Sequence, residues 1–204
     1  MKIAIIGITG RVGSRIASEL RTRKHHLSGV ARSLDPTVVQ HDGFSLQPGD
    51  TSQPAVLAQQ LSGHDVVVSA ARFATARASD VIAAVKKAGV PRLVVVGGAA
   101  SLEVAPGQLL LDAPDFPEIY KEEARAGLLF LETLRAERTL DWTFLSPPLV
   151  FEPGQRTSAF RLGGDELLVD ADGKSWISME DYAIALVDEI ETPRHSRRRF
   201  TVGN

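Results

Sequence analysis

Residues 3–17 read IAIIGITGRVGSRIA. The run before the first glycine is short, apolar and β-branched, as in a buried strand. The run after the third places Val12, Ile16 and Leu20 at helical spacing. Gly7, Gly10 and Gly13 therefore stand at a strand-to-helix junction. Their spacing, GxxGxxG, differs from the GxGxxG of the standard dinucleotide fingerprint, but the physical uses are similar. One glycine permits the turn, one lets backbone approach a pyrophosphate, and one lets helix and strand pack closely, with the helix N-terminus facing the anion. The alternative is a bare tight turn. Position in the first strand-turn-helix unit favours a dinucleotide, with Thr9, Arg11 and Val12 in or beside the loop as further contacts.

Outward from that turn, short apolar runs alternate with helical patterns. LSGVARS (27–33), FSLQPGD (44–50), HDVVVSAA (64–71) and PRLVVVGGA (91–99) read as strands; 12–23, PAVLAQQLSG (54–63) and ASDVIAAVKKAG (78–89) read as helices. Such alternation predicts an α/β chain with a doubly wound parallel sheet, and the uninterrupted VVV runs fit interior strands buried on both faces. A proline-broken loop over 105–120 precedes an amphipathic helix through 122–138 and a strand at WTFLSPP (142–148). From Phe151 the composition turns to glycine and turn residues with two short extended pieces, and residues 151–180 are expected to form a small substrate-side cap on a single domain spanning 1–204. Ser178 with Asp181 resembles a capping box opening a last helix, and RRFTV (198–202) is expected at the sheet edge.

Composition narrows the chemistry. With 204 residues and 44% hydrophobic content the chain can bury one substantial core. A net charge of -2 gives no footprint for nucleic acid or an anionic membrane, so a small molecule is the expected partner of a monomer or homodimer. The absence of cysteine excludes disulfides and thiolate chemistry and fits a reducing compartment. The first apolar run is too brief for a signal-peptide core and no run is long enough to span a bilayer, so the cytoplasm is the expected location. His25, His26, His41, His64 and His195 show no metal spacing, so no metal is expected.

The end of the second strand decides the cofactor: an acid there takes the ribose hydroxyls, a base the 2′-phosphate of NADP. The sequence gives GVARS, with Arg32 in place, Ser33 beside it and Arg11 in the glycine loop. Two guanidiniums suit a phosphate, which favours NADP(H) over NAD(H), although Asp35 is an alternative ribose ligand. Asp50 and Thr51, after the third strand, are placed to contact adenine. Ser69, Ala70 and Ala71 end the fourth strand, where small residues let a ribose lie on the backbone. Ser146 and Pro147, after the sixth strand, are expected near the nicotinamide.

With GITGRVG, GVARS, GDTSQ and VVSAA in that order, the chain resembles the atypical short-chain dehydrogenase/reductases. It is most similar to the small NAD(P)H-flavin reductases related to the NmrA-like and biliverdin-reductase-B-like groups. WTFLSPP, PGQRT, RLGGDELL, SWISMEDYAIALVDEIE and RRFTV extend the resemblance over nearly the whole chain. It implies a Rossmann-like fold, a nicotinamide cofactor at the carboxyl edge, reduction of a flavin or quinone-like acceptor, and an acceptor-facing serine at Ser101. The chain departs from the usual tyrosine-lysine pair spaced by four: Ala124 follows Tyr120 at that distance and Leu186 follows Tyr182. Tyr120 beside Lys121 is the one candidate proton donor. Hydride transfer to an isoalloxazine or quinone is less demanding, because the ring delocalises charge and solvent can supply the proton.

Phe73, Phe116, Tyr120, Phe151 and Trp176 fall outside the main core pattern and can wall a flat-ring pocket. Arg72 and Arg156 can meet a flavin phosphate or an acidic substrate, and RHSRRR (194–199) reads as a solvated turn. The leading function is an NAD(P)H-dependent reductase of a flavin, quinone or related aromatic acceptor, alone or supplying a monooxygenase. A dinucleotide-binding redox sensor without turnover is the alternative from a different class, and a sugar-nucleotide epimerase or dehydratase comes third.

Overall fold

The computed structural model describes residues 1–34 and 42–204. Asp35 and His41 lie outside the described residues. In chain order, β1 (Lys2–Ile6), α1 (Arg11–Thr22), β2 (His26–Ala31) and β3 (Phe44–Pro48) are followed by α2 (Pro54–Leu61), β4 (Val66–Ser69), α3 (Ala78–Lys87) and β5 (Arg92–Val96). Next come β6 (Glu103–Ala105), β7 (Gln108–Leu109), α4 (Glu118–Ala136), β8 (Asp141–Ser146) and β9 (Val150–Glu152). The chain closes with β10 (Arg161–Gly163), β11 (Trp176–Ser178), α5 (Met179–Glu191) and β12 (Arg198–Gly203). Among the described residues an eight-stranded sheet runs β10-β12-β8-β5-β4-β1-β2-β3, parallel except where β10 meets β12. This is the Rossmann-like α/β fold.

The period of two in each strand assigns side chains to two apolar layers. From β1, Ile3 and Ile5 join Ile16 and Leu20 of α1 and Leu186 and Ile190 of α5; Ala4 and Ile6 face Leu61 of α2, Val81 and Val85 of α3 and Leu134 of α4. In β4, Val66 and Val68 go to the first layer and Val67 to the second. The uninterrupted valine run is thus buried twice over, as a central parallel strand requires. The chain leaves β1 for β2 and β3 on one side and returns to β4 on the other. That reversal opens a crevice at the carboxyl ends of β1 and β4.

Three expectations need correction. The final run is not an edge strand: β12 lies between β8 and β10, because β10 folds back antiparallel with Arg161 opposite Gly203. The proline-broken stretch is shorter than its composition implies. It holds the β6-β7 hairpin, and Pro117 sits at the N-cap of α4, so Ile119 and Tyr120 are helical. The glycine-rich stretch 151–180 divides its work: β9 pairs with β11, β10 extends the main sheet, and residues 165–167 bond to Glu103. Ser178 does cap α5, its Oγ accepting from the Asp181 N–H at 3.0 Å. Asp181 does not reciprocate; its buried carboxylate accepts from the N–H groups of Thr157 and Ser158, each at 2.8 Å, and so pins the 151–160 loop to the helix.

Candidate functional site

The β1-α1 turn shows why its glycines are there. Gly7 has φ +82° and a Cβ on it would lie 2.8 Å from the Ala70 carbonyl, so it serves both the turn and the close approach of the β4 exit. A Cβ on Gly13 would lie 2.2 Å from the Gly7 oxygen, so this glycine lets α1 seat on the turn. Gly10 is the extended N-cap of α1, with no side-chain capping bond and no acid in the first turn. Among the described residues the leading N–H groups of the helix therefore meet no side-chain acceptor, which suits an anion.

A cleft of about 300 Å³ opens from this turn. Gly7, Thr9 and Gly10 form one side, Ala31, Arg32 and Ser33 the β2 end, Thr51 the β3 exit and Ala70 to Arg72 the β4 exit. Among the described residues, the charged ones lining it are both arginines, Arg32 and Arg72. Thr51 donates to the Thr75 carbonyl at 3.1 Å, tying the β3 exit to the short helical turn at 73–75. Asp50 is outside the lining and caps its own turn by accepting from Ser52 N–H at 2.8 Å. Those Ser52 hydrogen bonds, with a smaller contribution from Arg32, hold its carboxyl below the usual value.

Other expected cofactor contacts do not line this cleft. Arg11 and Val12 occupy the first turn of α1, where the Arg11 carbonyl accepts from Arg15. Ser69 is buried in β4 between Ile6 and Val95. Ser146, at the carboxyl end of β8, is wholly buried, and its Oγ has no hydrogen-bond partner among the described residues; Pro147 is buried behind it.

A second hollow, of about 590 Å³, lies beyond the 73–75 turn. Gly97 to Ser101 line its base, Phe73, Phe116 and Tyr120 its aromatic walls, and Leu149 one rim. The Phe73 ring stacks near Phe144 at 5.9 Å and tilts on Phe130 at 5.3 Å. Gly127, inside α4, makes room for it, since a Cβ there would lie 2.9 Å from the ring. Glu123 fixes the turn itself: its carboxylate accepts from Phe73 N–H at 2.7 Å and Ala74 N–H at 3.0 Å, with the Arg72 guanidinium 3.6 Å away. Neither Glu123 nor Gly127 was singled out from the sequence. A glycine inside a helical pattern is the signal that points to the second; the first has no local signal.

Ser101 lines this hollow but is itself buried, with its carbonyl and Oγ at 3.2 and 3.5 Å from Arg199 Nη1. The RHSRRR run is thus not wholly solvated: Arg199 is pulled inward by β12 and held by Asp165. Tyr120 is 61% exposed on α4, and Lys121 is engaged with Glu118 at 2.6 Å. Tyr182 is wholly buried, donates to the Leu145 carbonyl at 2.7 Å, and burial pushes its phenol far up. Phe151 and Trp176 do not reach the hollow. Phe151 packs on Tyr182 at 4.6 Å because β9 turns it into the core, and Trp176 on β11 donates to Asp170 at 3.2 Å. Arg156 is spent on Glu19, at 3.0 Å from both of its oxygens. His25 meets Glu191 at 2.8 Å, and His26 opens β2.

The NAD(P)H-binding family model matches residues 7–193, and the chain belongs to that family. Solved structures share the fold over their full length. One from Burkholderia pseudomallei, called a "putative exported protein", is 43% identical with TM-score 0.89, covering 100% of both chains. One from Bacteroides thetaiotaomicron, called a "putative epimerase", is 37% identical with TM-score 0.93, covering 99% of this chain and 96% of that one. One from Streptococcus pneumoniae, called a "putative NADH-flavin reductase", is 32% identical with TM-score 0.87, covering 100% and 99%. Three different names on one fold leave function to be argued from the site. No helix among the described residues is long and apolar enough to cross a membrane.

Proposed function

We propose that this chain is an NADPH-dependent reductase whose acceptor is a flat aromatic ring, a flavin or a quinone. One observation carries the reading: residues 71–75 wall both hollows, with Ala71, Arg72 and Thr75 on the dinucleotide cleft and Phe73 on the aromatic one. When bound, NADPH supplies a hydride from its dihydronicotinamide ring to the acceptor and leaves as NADP⁺, while a proton from solvent completes the reduced acceptor. The glycine turn and the open N-terminus of α1 suit the pyrophosphate. Arg32 and Arg72 are the charged side chains among the described residues lining the cleft, and a guanidinium at the β2 end favours a 2′-phosphate over bare ribose hydroxyls. Phe73, held by Glu123 and Gly127, presents a fixed wall, so the protein's main task is to hold the acceptor in reach. No tyrosine-lysine pair stands ready as a proton relay, which weighs against carbonyl reduction and against the epimerase reading. The name of the Streptococcus pneumoniae structure supports the flavin reading.

The test is protein-dependent loss of the nicotinamide absorbance with NADPH or NADH and a panel of flavins and quinones. Turnover favouring NADPH supports the proposal. Tight nucleotide binding without turnover of any acceptor would support a redox sensor instead.

A further inference from the structure

Charge divides the two hollows in opposite senses. Among the described residues, the charged side chains lining the dinucleotide cleft are Arg32 and Arg72, and those lining the aromatic hollow are Asp115 and Glu123, with no lysine or arginine. Of the cations nearest the hollow, Lys121 and Arg199 are occupied, and Arg72 is an exposed side chain that lines the dinucleotide cleft. Lys121 holds Glu118 at 2.6 Å, Arg72 is drawn toward Glu123 at 3.6 Å, and Arg199, beneath Ser101, is 2% exposed and paired with Asp165. The N-terminus of α4 points a partial positive charge at the same mouth, but Glu118 stands in its first turn and compensates it. Glu123 is satisfied by two backbone N–H groups, whereas Asp115 is an exposed rim carboxylate beside Phe116.

From this we infer that the aromatic hollow is specific for uncharged rings: a neutral quinone or an unphosphorylated flavin is accepted, and a ring bearing a phosphate or sulfonate is rejected. This rests on reading the hollow as the acceptor site and adds its substrate class. The physical cause is repulsion at the rim rather than a better fit. A phosphate tail leaving past Phe116 meets Asp115, with no guanidinium among the described residues that line the hollow, and such like-charge placement is how sites discriminate against a competitor of the same shape. The outer rim is solvated, so the discrimination is salt-dependent.

The experiment uses matched pairs differing only in charge: riboflavin with its 5′-phosphate, and a naphthoquinone with its ring sulfonate. Affinity for the full chain saturated with NADP⁺ is read by flavin fluorescence or by calorimetry, independently of turnover. The neutral member is expected to bind at least tenfold more tightly in each pair, with the ratio shrinking as salt is raised. Asp115→Lys is expected to move the ratio at least tenfold toward the anionic member, with unchanged circular dichroism as the check on folding. Asp115→Asn is expected to move it part of the way. Equal or tighter binding of the anionic members, failure of every probe to bind, or a ratio indifferent to Asp115→Lys overturns the inference. Neutral-selective binding without NADPH oxidation leaves it standing and removes the reductase reading instead.

Discussion

At the residue scale, the glycine turn and Arg32 make separable predictions. A carboxylate at Gly10 stands where the α1 N-terminus would receive the pyrophosphate. Gly10→Asp is therefore expected to abolish dinucleotide binding in calorimetry, whichever nucleotide is tried. Arg32→Ala is expected to weaken NADPH by about 2 kcal/mol, the scale of a lost charge-assisted hydrogen bond, and to leave NADH nearly unchanged. Equal losses for both nucleotides would mean that Arg32 does not read the 2′-phosphate. Tyr120→Phe is expected to keep most of the turnover number, since the phenol is exposed and Lys121 is engaged with Glu118. Loss of turnover with cofactor affinity intact would make Tyr120 a proton donor. The residues readable from sequence alone are those whose role is fixed by their own backbone: Gly7 and Gly13 announce a close approach by lacking a Cβ. Glu123 and Arg199 were not readable, because each draws its meaning from a partner distant in sequence, Phe73 N–H in one case and Asp165 in the other.

At the element scale, the same division appears. The alternating runs from β1 to β5 were legible, because strand and helix periods there are local properties and the central strands β1, β4 and β5 bury both faces. The place of β12 was not, because an interior or edge position depends on whether β10 returns to pair with it. Phe151 and Trp176 lie outside the aromatic hollow for a like reason: loop-like composition says nothing of the β9-β11 pairing that turns the first toward the core. The end of α4 offers a pH test. Hydrogen bonds from the Thr139 N–H and hydroxyl, with Lys86, hold the Glu137 carboxyl at about 2, down from 4.5. A depressed carboxyl pKa stabilises the fold above the unfolded value and ceases to do so as pH falls through the folded one. Glu137→Gln is expected to lower the Tm at neutral pH, with the gap from the parent closing between about pH 4.5 and 2. A gap independent of pH in thermal melts would assign the loss to something other than this carboxylate.

At the scale of the whole molecule, the sheet's reversal of direction sets the dinucleotide cleft at the carboxyl ends of β1, β2 and β4. The β5 exit and the start of α4 build the aromatic hollow alongside it. The segment 71–75 contributes to both linings, and in the proposed reductase what occupies one is within reach of what occupies the other. The most direct test of that arrangement is a single anaerobic mixing of the protein-NADPH complex, in excess, with riboflavin, followed at the nicotinamide and oxidised-flavin bands together. Both absorbances are predicted to fall in one protein-dependent phase, one nicotinamide oxidised for each flavin reduced. A complex that forms and holds both molecules while neither band changes would contradict the account.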